Sequence, residues 1–144
     1  MRDIPANIIR ERRDSLIVLK ERKSKITLLN PSKKLYHEVK VDGDLYSFTE
    51  TQEKRCDYLE IGKETVDAFF IELKGIDLDS AYEQLLSSIK NIRIENVSSK
   101  IAIAVTPHIP KANVKFQKYQ KLCKNLHVVL RVVNSGSQFP LYKV

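Results

Sequence analysis

"AFFIELKGIDLDSAYEQLLSSIKNI", residues 68–92, changes its hydrophobic period partway along, and that change decides the fold. Its first part, AFFI, is a run of aromatic and branched side chains suited to a pleated, buried surface, and predicts a strand. Its second part places apolar residues at 78, 81, 82, 85, 86 and 89, the i, i+3, i+4, i+7, i+8 and i+11 positions of one helical face. Asp77 or Asp79 can start this helix by accepting orphan backbone N–H groups. Upstream, RCDYLEIG (55–62) predicts a short strand, separated from 68–75 by the polar KETVD, so the two should pair antiparallel.

Downstream, KIAIAVTP (100–107) reads as a buried strand stopped by Pro107, and NLHVVLRVVN (125–134) as another. KANVKFQKYQKLCK (111–124) between them reads as a helix packing through Val114, Phe116, Tyr119, Leu122 and Cys123. The N-terminal stretch 7–29 mixes Ile8, Ile9, Leu16, Ile17 and Leu19 with charge, compatible with one helix or a helix followed by a strand; the helix is the expectation. Pro31 breaks it, because proline forces Asn30 from helical angles and removes a donor. LYHEVKVDGDLYSFTE (35–50) alternates around Asp42-Gly43, which predicts strand, turn, strand. The whole is an α/β class: a mixed central β-sheet flanked by α-helices, in one domain spanning 1–144, without internal repeats.

With 42% hydrophobic and 30% charged residues, the 144-residue chain has a globular composition, which excludes collagenous and low-complexity classes. A net charge of +7 favours a polyanionic partner such as nucleic acid, or an anionic membrane surface, over a basic one. No apolar run approaches the roughly 20 residues needed to span a bilayer, and residues 1–30 lack the apolar core of a signal peptide, so a cytoplasmic location is expected. Cys56 and Cys123 have no partner at metal-ligand spacing and read as buried free thiols. His37, His108 and His127 are isolated, with His127 read in an apolar strand as a core or flanking residue, and no histidine mechanism is assigned. Glycine-rich phosphate loops and Ser-His-Asp motifs are absent from the sequence.

Charge placed at the end of an apolar strand calls for an explanation. Antiparallel pairing of 55–62 with 68–75 can bring Asp57 and Glu72 together, and the strand period of two puts Lys74 on the same face as Glu72. Hard carboxylate oxygens on adjacent strands suit Mg²⁺, which takes one or two protein carboxylates and completes its shell with water, carbonyl or phosphate oxygens. An ion so held polarises a phosphodiester and lowers the pKa of an attacking water, and an adjacent ammonium can orient that water or offset negative charge on phosphorus.

Asp57, fourteen intervening residues, then Glu72-Leu73-Lys74, over a strand hairpin and followed by an amphipathic helix, resembles the core of the PD-(D/E)XK nuclease superfamily, which includes restriction endonucleases and Holliday junction resolvases. The resemblance extends over about residues 35–133 by order of elements and implies a restriction-endonuclease-like fold and metal-dependent hydrolysis of phosphodiester bonds, in DNA over RNA. Carried over by position, Asp57 and Glu72 would be metal ligands, the Leu73 carbonyl a further ligand, and Lys74 the catalytic lysine, with Mg²⁺ as cofactor and Mn²⁺ as substitute. Glu38 is the candidate for an upstream acidic ligand, with Glu21 and Glu11 behind it, and Gln84 stands where many members carry a helix glutamine at the site. Gln84 lies about 60° from Ala81, at the margin of the apolar face. Two positions depart from the pattern: Cys56 replaces the usual proline, and Ser88 replaces a tyrosine found in the helicase-nuclease branch.

Lys111, Lys115, Lys118, Lys121 and Lys124 recur without an acidic residue between them, and Lys111, Lys115 and Lys118 would share one helical face able to meet phosphates. Arg12, Arg13, Arg22 and Lys23 are interleaved with acids and read as ordinary surface. So small a nuclease would dimerise, read DNA shape, or rely on a partner protein for specificity. The rival expectation is a non-catalytic nucleic-acid-binding or complex-forming module on the same fold.

Overall fold

The computed structural model describes residues 1–73, 77–109 and 114–141. Lys74 and Lys111 lie outside the described residues, as does the side chain of Val114. Among the described residues, a short 3-10 helix (Ala6–Ile8) is followed by nine strands and two α-helices. They are β1 (Ile9–Arg12), β2 (Leu16–Glu21), β3 (Ser24–Leu29), β4 (Tyr36–Lys40), β5 (Tyr58–Gly62), β6 (Asp67–Glu72), α1 (Leu78–Asn91), β7 (Ser99–Thr106), α2 (Val114–Asn125), β8 (Val128–Asn134) and β9 (Gln138–Pro140). A six-stranded sheet has the order β1-β4-β5-β6-β7-β8, and a three-stranded sheet the order β2-β3-β9. The large sheet is antiparallel from β1 through β6 and parallel from β6 through β8, so the expected mixed α/β character is observed.

Strand β6 is buried along its whole length, and its alternation serves two cores. Ala68 and Phe70 meet Ala81, Tyr82, Leu85 and Ile89 of α1 and Tyr119 and Cys123 of α2. Phe69 and Ile71 meet Ile17, Leu19, Ile26 and Leu28 of the small sheet on the other face. Both helices therefore cover one face and the small sheet the other. Burying each phenylalanine contributes about 1.5–3 kcal/mol. The α1 face predicted from periodicity is the buried one, and Asp77 caps it by accepting the Ser80 N–H at 3.1 Å.

Three expectations are corrected. The N-terminal stretch holds three strands where a helix was expected, because Ile17 and Leu19 on β2 and Ile26 and Leu28 on β3 alternate into the second core. The two residues Arg22 and Lys23 turn the chain between them, with Arg22 at φ +52°. The Asp42-Gly43 hairpin does not form: β4 pairs with β5, and residues 41–57 are a long excursion. That excursion is anchored by Tyr46, fully buried, with the Arg2 guanidinium 3.8 Å from its ring centroid and that of Arg55 at 5.4 Å. His127 lies before β8 instead of within it, exposed and at φ +59°. Cys56 and Cys123 are buried free thiols, as expected. No helix among the described residues is long and apolar enough to cross a membrane.

Candidate functional site

Asp57 immediately precedes β5, and the structure fixes the chain there by three successive backbone donors. The Arg55 N–H donates to Gln84 Oε1 at 2.7 Å, the Cys56 N–H to Ser88 Oγ at 2.8 Å, and the Asp57 N–H to the Ile71 carbonyl at 3.1 Å. Gln84 and Ser88 are four apart on α1, so they present one edge of the helix to the incoming chain. Ser88 thus satisfies a buried donor. Gln84 borders the cleft and gives its carbonyl oxygen to Arg55, leaving its amide NH₂ as the group it can offer.

The Asp57 side chain turns back across the hairpin, where Oδ2 accepts the Leu73 N–H at 2.7 Å. Its carboxyl lies close enough to that of Glu72 for the two to share a proton, and both line one cleft. Both are almost sealed from bulk water, at 7% and 1% exposure. Burial pushes the Asp57 carboxyl above the ordinary aspartate range, against the opposing pull of the Leu73 and Glu72 hydrogen bonds; the charges of Glu21 and Asp42 push in the same direction as burial. The neighbouring Cys56 thiol is driven upward by burial, reinforced by the charges of Glu72 and Asp57, and stays protonated and inert.

An open cleft of roughly 260 Å³ brings Asp57, Glu72 and Gln84 together with Asp42, Lys54 and Arg55. Its outer wall is the 41–57 excursion, held by Arg55: Nε donates to Asp42 Oδ1 at 3.0 Å, Nη2 to the Ser47 carbonyl at 3.2 Å, and Nη1 to the Glu50 and Glu53 carbonyls. Sequence reasoning missed Asp42 and Arg55. The Asp-Gly pair suggested a turn, and nothing local indicated that Arg55 would organise it.

Glu38 does not join this site. It faces Glu60 across the β4–β5 ladder and Glu60 faces Phe69, which puts Glu38 on the small-sheet face of the large sheet. There it binds the Arg12 guanidinium at 2.8 Å, so Arg12 is buried and not the surface group expected. Glu60, fully buried beside them, is pushed well above the ordinary glutamate range by burial and then by Glu38. Of Glu38, Glu21 and Glu11, only Glu21 is among the charges that raise the Asp57 carboxyl, alongside Asp42. No group of three or more His, Cys, Asp or Glu side chains is gathered to hold a metal among the described residues. The carboxylates present suit Mg²⁺ by the chemistry of the donor set, since that ion needs only one or two of them.

The predicted basic face is rearranged. Lys115 is tied to Asp79 at 2.6 Å, while Lys118 is exposed and has no ion pair among the described residues. No protein-family model matches the chain, and neither does any curated protein or solved structure compared with it.

Proposed function

We propose that the protein is a metal-dependent nuclease of the PD-(D/E)XK type, hydrolysing phosphodiester bonds in DNA over RNA. The observation that carries this reading is the meeting of Asp57 and Glu72, two buried carboxyl groups just before β5 and at the end of β6, in one open cleft. The antiparallel pairing of β5 with β6, the parallel β7 and the helix between them fit the order of elements that a restriction-endonuclease-like core requires.

Asp57 and Glu72 would hold Mg²⁺ or Mn²⁺ with the Leu73 carbonyl. Bound there, the ion supplies Lewis-acid polarisation of the phosphate and a more acidic water. Gln84 and Ser88 position Asp57 by holding the backbone before it, and the Gln84 amide is available to a phosphate oxygen. Lys74, assigned by the resemblance, would offset charge on phosphorus as the water oxygen bonds to it and the ester oxygen departs with a proton. Burial of Asp57 and Glu72 keeps their geometry fixed by hydrogen bonds instead of by solvent.

Cleavage of linear, supercoiled, single-stranded and branched DNA, with Mg²⁺ or Mn²⁺, tests the reading. Wild type should cleave at least one form, and Asp57→Asn and Lys74→Ala should each lose about 10²-fold or more. Activity that survives both substitutions would overturn the assignment. A second reading, a nucleic-acid-binding module without hydrolysis, draws on the same geometry: Asp57 is already satisfied by Leu73 and Glu72, as in a structural carboxyl pair. Divalent-ion binding that Glu72→Ala removes separates the two.

A further inference from the structure

The cleft at Asp57 and Glu72 does not end at its own walls. It shares Glu53 and Lys54 with a second cleft of roughly 400 Å³ between the 41–57 excursion and the α1 and α2 helices. That cleft in turn shares Lys118 and Leu122 with a depression along the outer side of α2. The three form one path from the buried carboxylates across the helical layer. We infer that the phosphodiester backbone of a nucleic-acid strand follows this path, held by Lys54, Lys90, Lys118 and Lys121 and reaching Lys124 at its far end.

The charge pattern supports this occupant. All five lysines are exposed, and among the described residues none forms an ion pair, in contrast to Lys34, tied to Glu64, and Lys115, tied to Asp79. Of the carboxylates lining the path, Asp42 and Glu50 are paired with Arg55 and Arg2, while Glu83 accepts the Tyr119 hydroxyl and Glu53 that of Tyr46 at 2.8 Å. Neutral donors, Gln52, Ser87 and Asn91, line the remainder. Unpaired ammonium groups with small neutral donors grip phosphates and do not read bases, so the path gives affinity without sequence preference. A second copy of this chain is a poor occupant, because it would bring a like-charged surface. The inference rests on the proposed hydrolytic reading only for where the strand leads.

Binding to a labelled single strand and to its duplex, followed by fluorescence anisotropy in EDTA, tests the path independently of cleavage. Substitutions at exposed positions usually change stability little, so Lys90→Glu, Lys118→Glu and Lys121→Glu are combined. The comparison protein combines Lys20→Glu, Lys23→Glu and Lys25→Glu, exposed positions around the β2–β3 turn, which change net charge equally. The path variant should bind about ten-fold more weakly or worse, with its log K against log salt slope reduced by about 2–3, and the comparison protein should change by less than about three-fold. Equal losses in the two variants would reduce the attraction to net charge and overturn the path, as would wild type that binds neither form at low salt. Wild type that binds through the path and cleaves nothing would overturn the hydrolytic reading and leave the path standing.

Discussion

At the scale of single residues, Asp57 carries a tension between stability and chemistry. Its carboxyl is held above the ordinary range by burial, so the folded state binds its proton more tightly than the unfolded chain does. The sign follows: the contribution of this group to stability is fully present below its unfolded pKa and is lost as pH rises through the raised folded value. At neutral pH the ionised side chain is therefore a cost. Asp57→Asn, which keeps an oxygen for the Leu73 N–H, should raise the melting temperature near pH 7, by an amount that shrinks as pH falls toward about 4. Each unit of pKa shift corresponds to about 1.4 kcal/mol. Thermal denaturation across pH checks it, and a variant less stable than wild type at neutral pH would contradict it. The same substitution should cut cleavage by about 10²-fold or more, the pattern of a residue retained for function.

At the scale of elements, the edge of α1 is the device that sets the site. Ser88 is fully buried, and its hydroxyl is the acceptor for the Cys56 N–H. Ser88→Ala removes that acceptor and leaves a buried donor unsatisfied, at about 1–3 kcal/mol. The expected result is a lower melting temperature and slower cleavage with DNA affinity in EDTA unchanged; unchanged stability would show that the donor finds another partner. The period switch within 68–92 made β6 and α1 legible in the sequence, because each buries one regular face. The N-terminal strands were less legible. Their alternation, Ile17 with Leu19 and Ile26 with Leu28, is broken by exposed Leu16 and Val18 on the opposite face and turns at Arg22, which carries no glycine or asparagine signal. The Asp42-Gly43 pair misled for the converse reason. Gly43 does take a positive φ of +128°, but in a coil that returns Tyr46 to the core instead of pairing two strands.

At the scale of the molecule, one six-stranded sheet separates two charge arrangements. On the helical face, Asp57 and Glu72 open to a cleft; on the face of the small sheet, Arg12, Glu38 and Glu60 are locked into the interior. Sequence alone could not assign Glu38 to a face, since that depends on the β4–β5 register set by pairing far along the chain. The net charge of +7 was legible, whereas its distribution was not: Lys115 is spent on Asp79, and Lys54 and Lys90, distant in sequence, line the same path as Lys118.

The central claim is that Asp57 and Glu72 form a divalent-ion site. Titration of Mn²⁺, followed by its own spectroscopic signal, tests it without reference to any nucleic acid, comparing wild type with Glu72→Gln at neutral pH and again at about pH 5. Wild type should bind at neutral pH and more weakly at the lower pH, since the raised Asp57 carboxyl must lose its proton to ligate. Glu72→Gln should bind at least about ten-fold more weakly. Equal binding by the two proteins, or none by wild type, would contradict the claim.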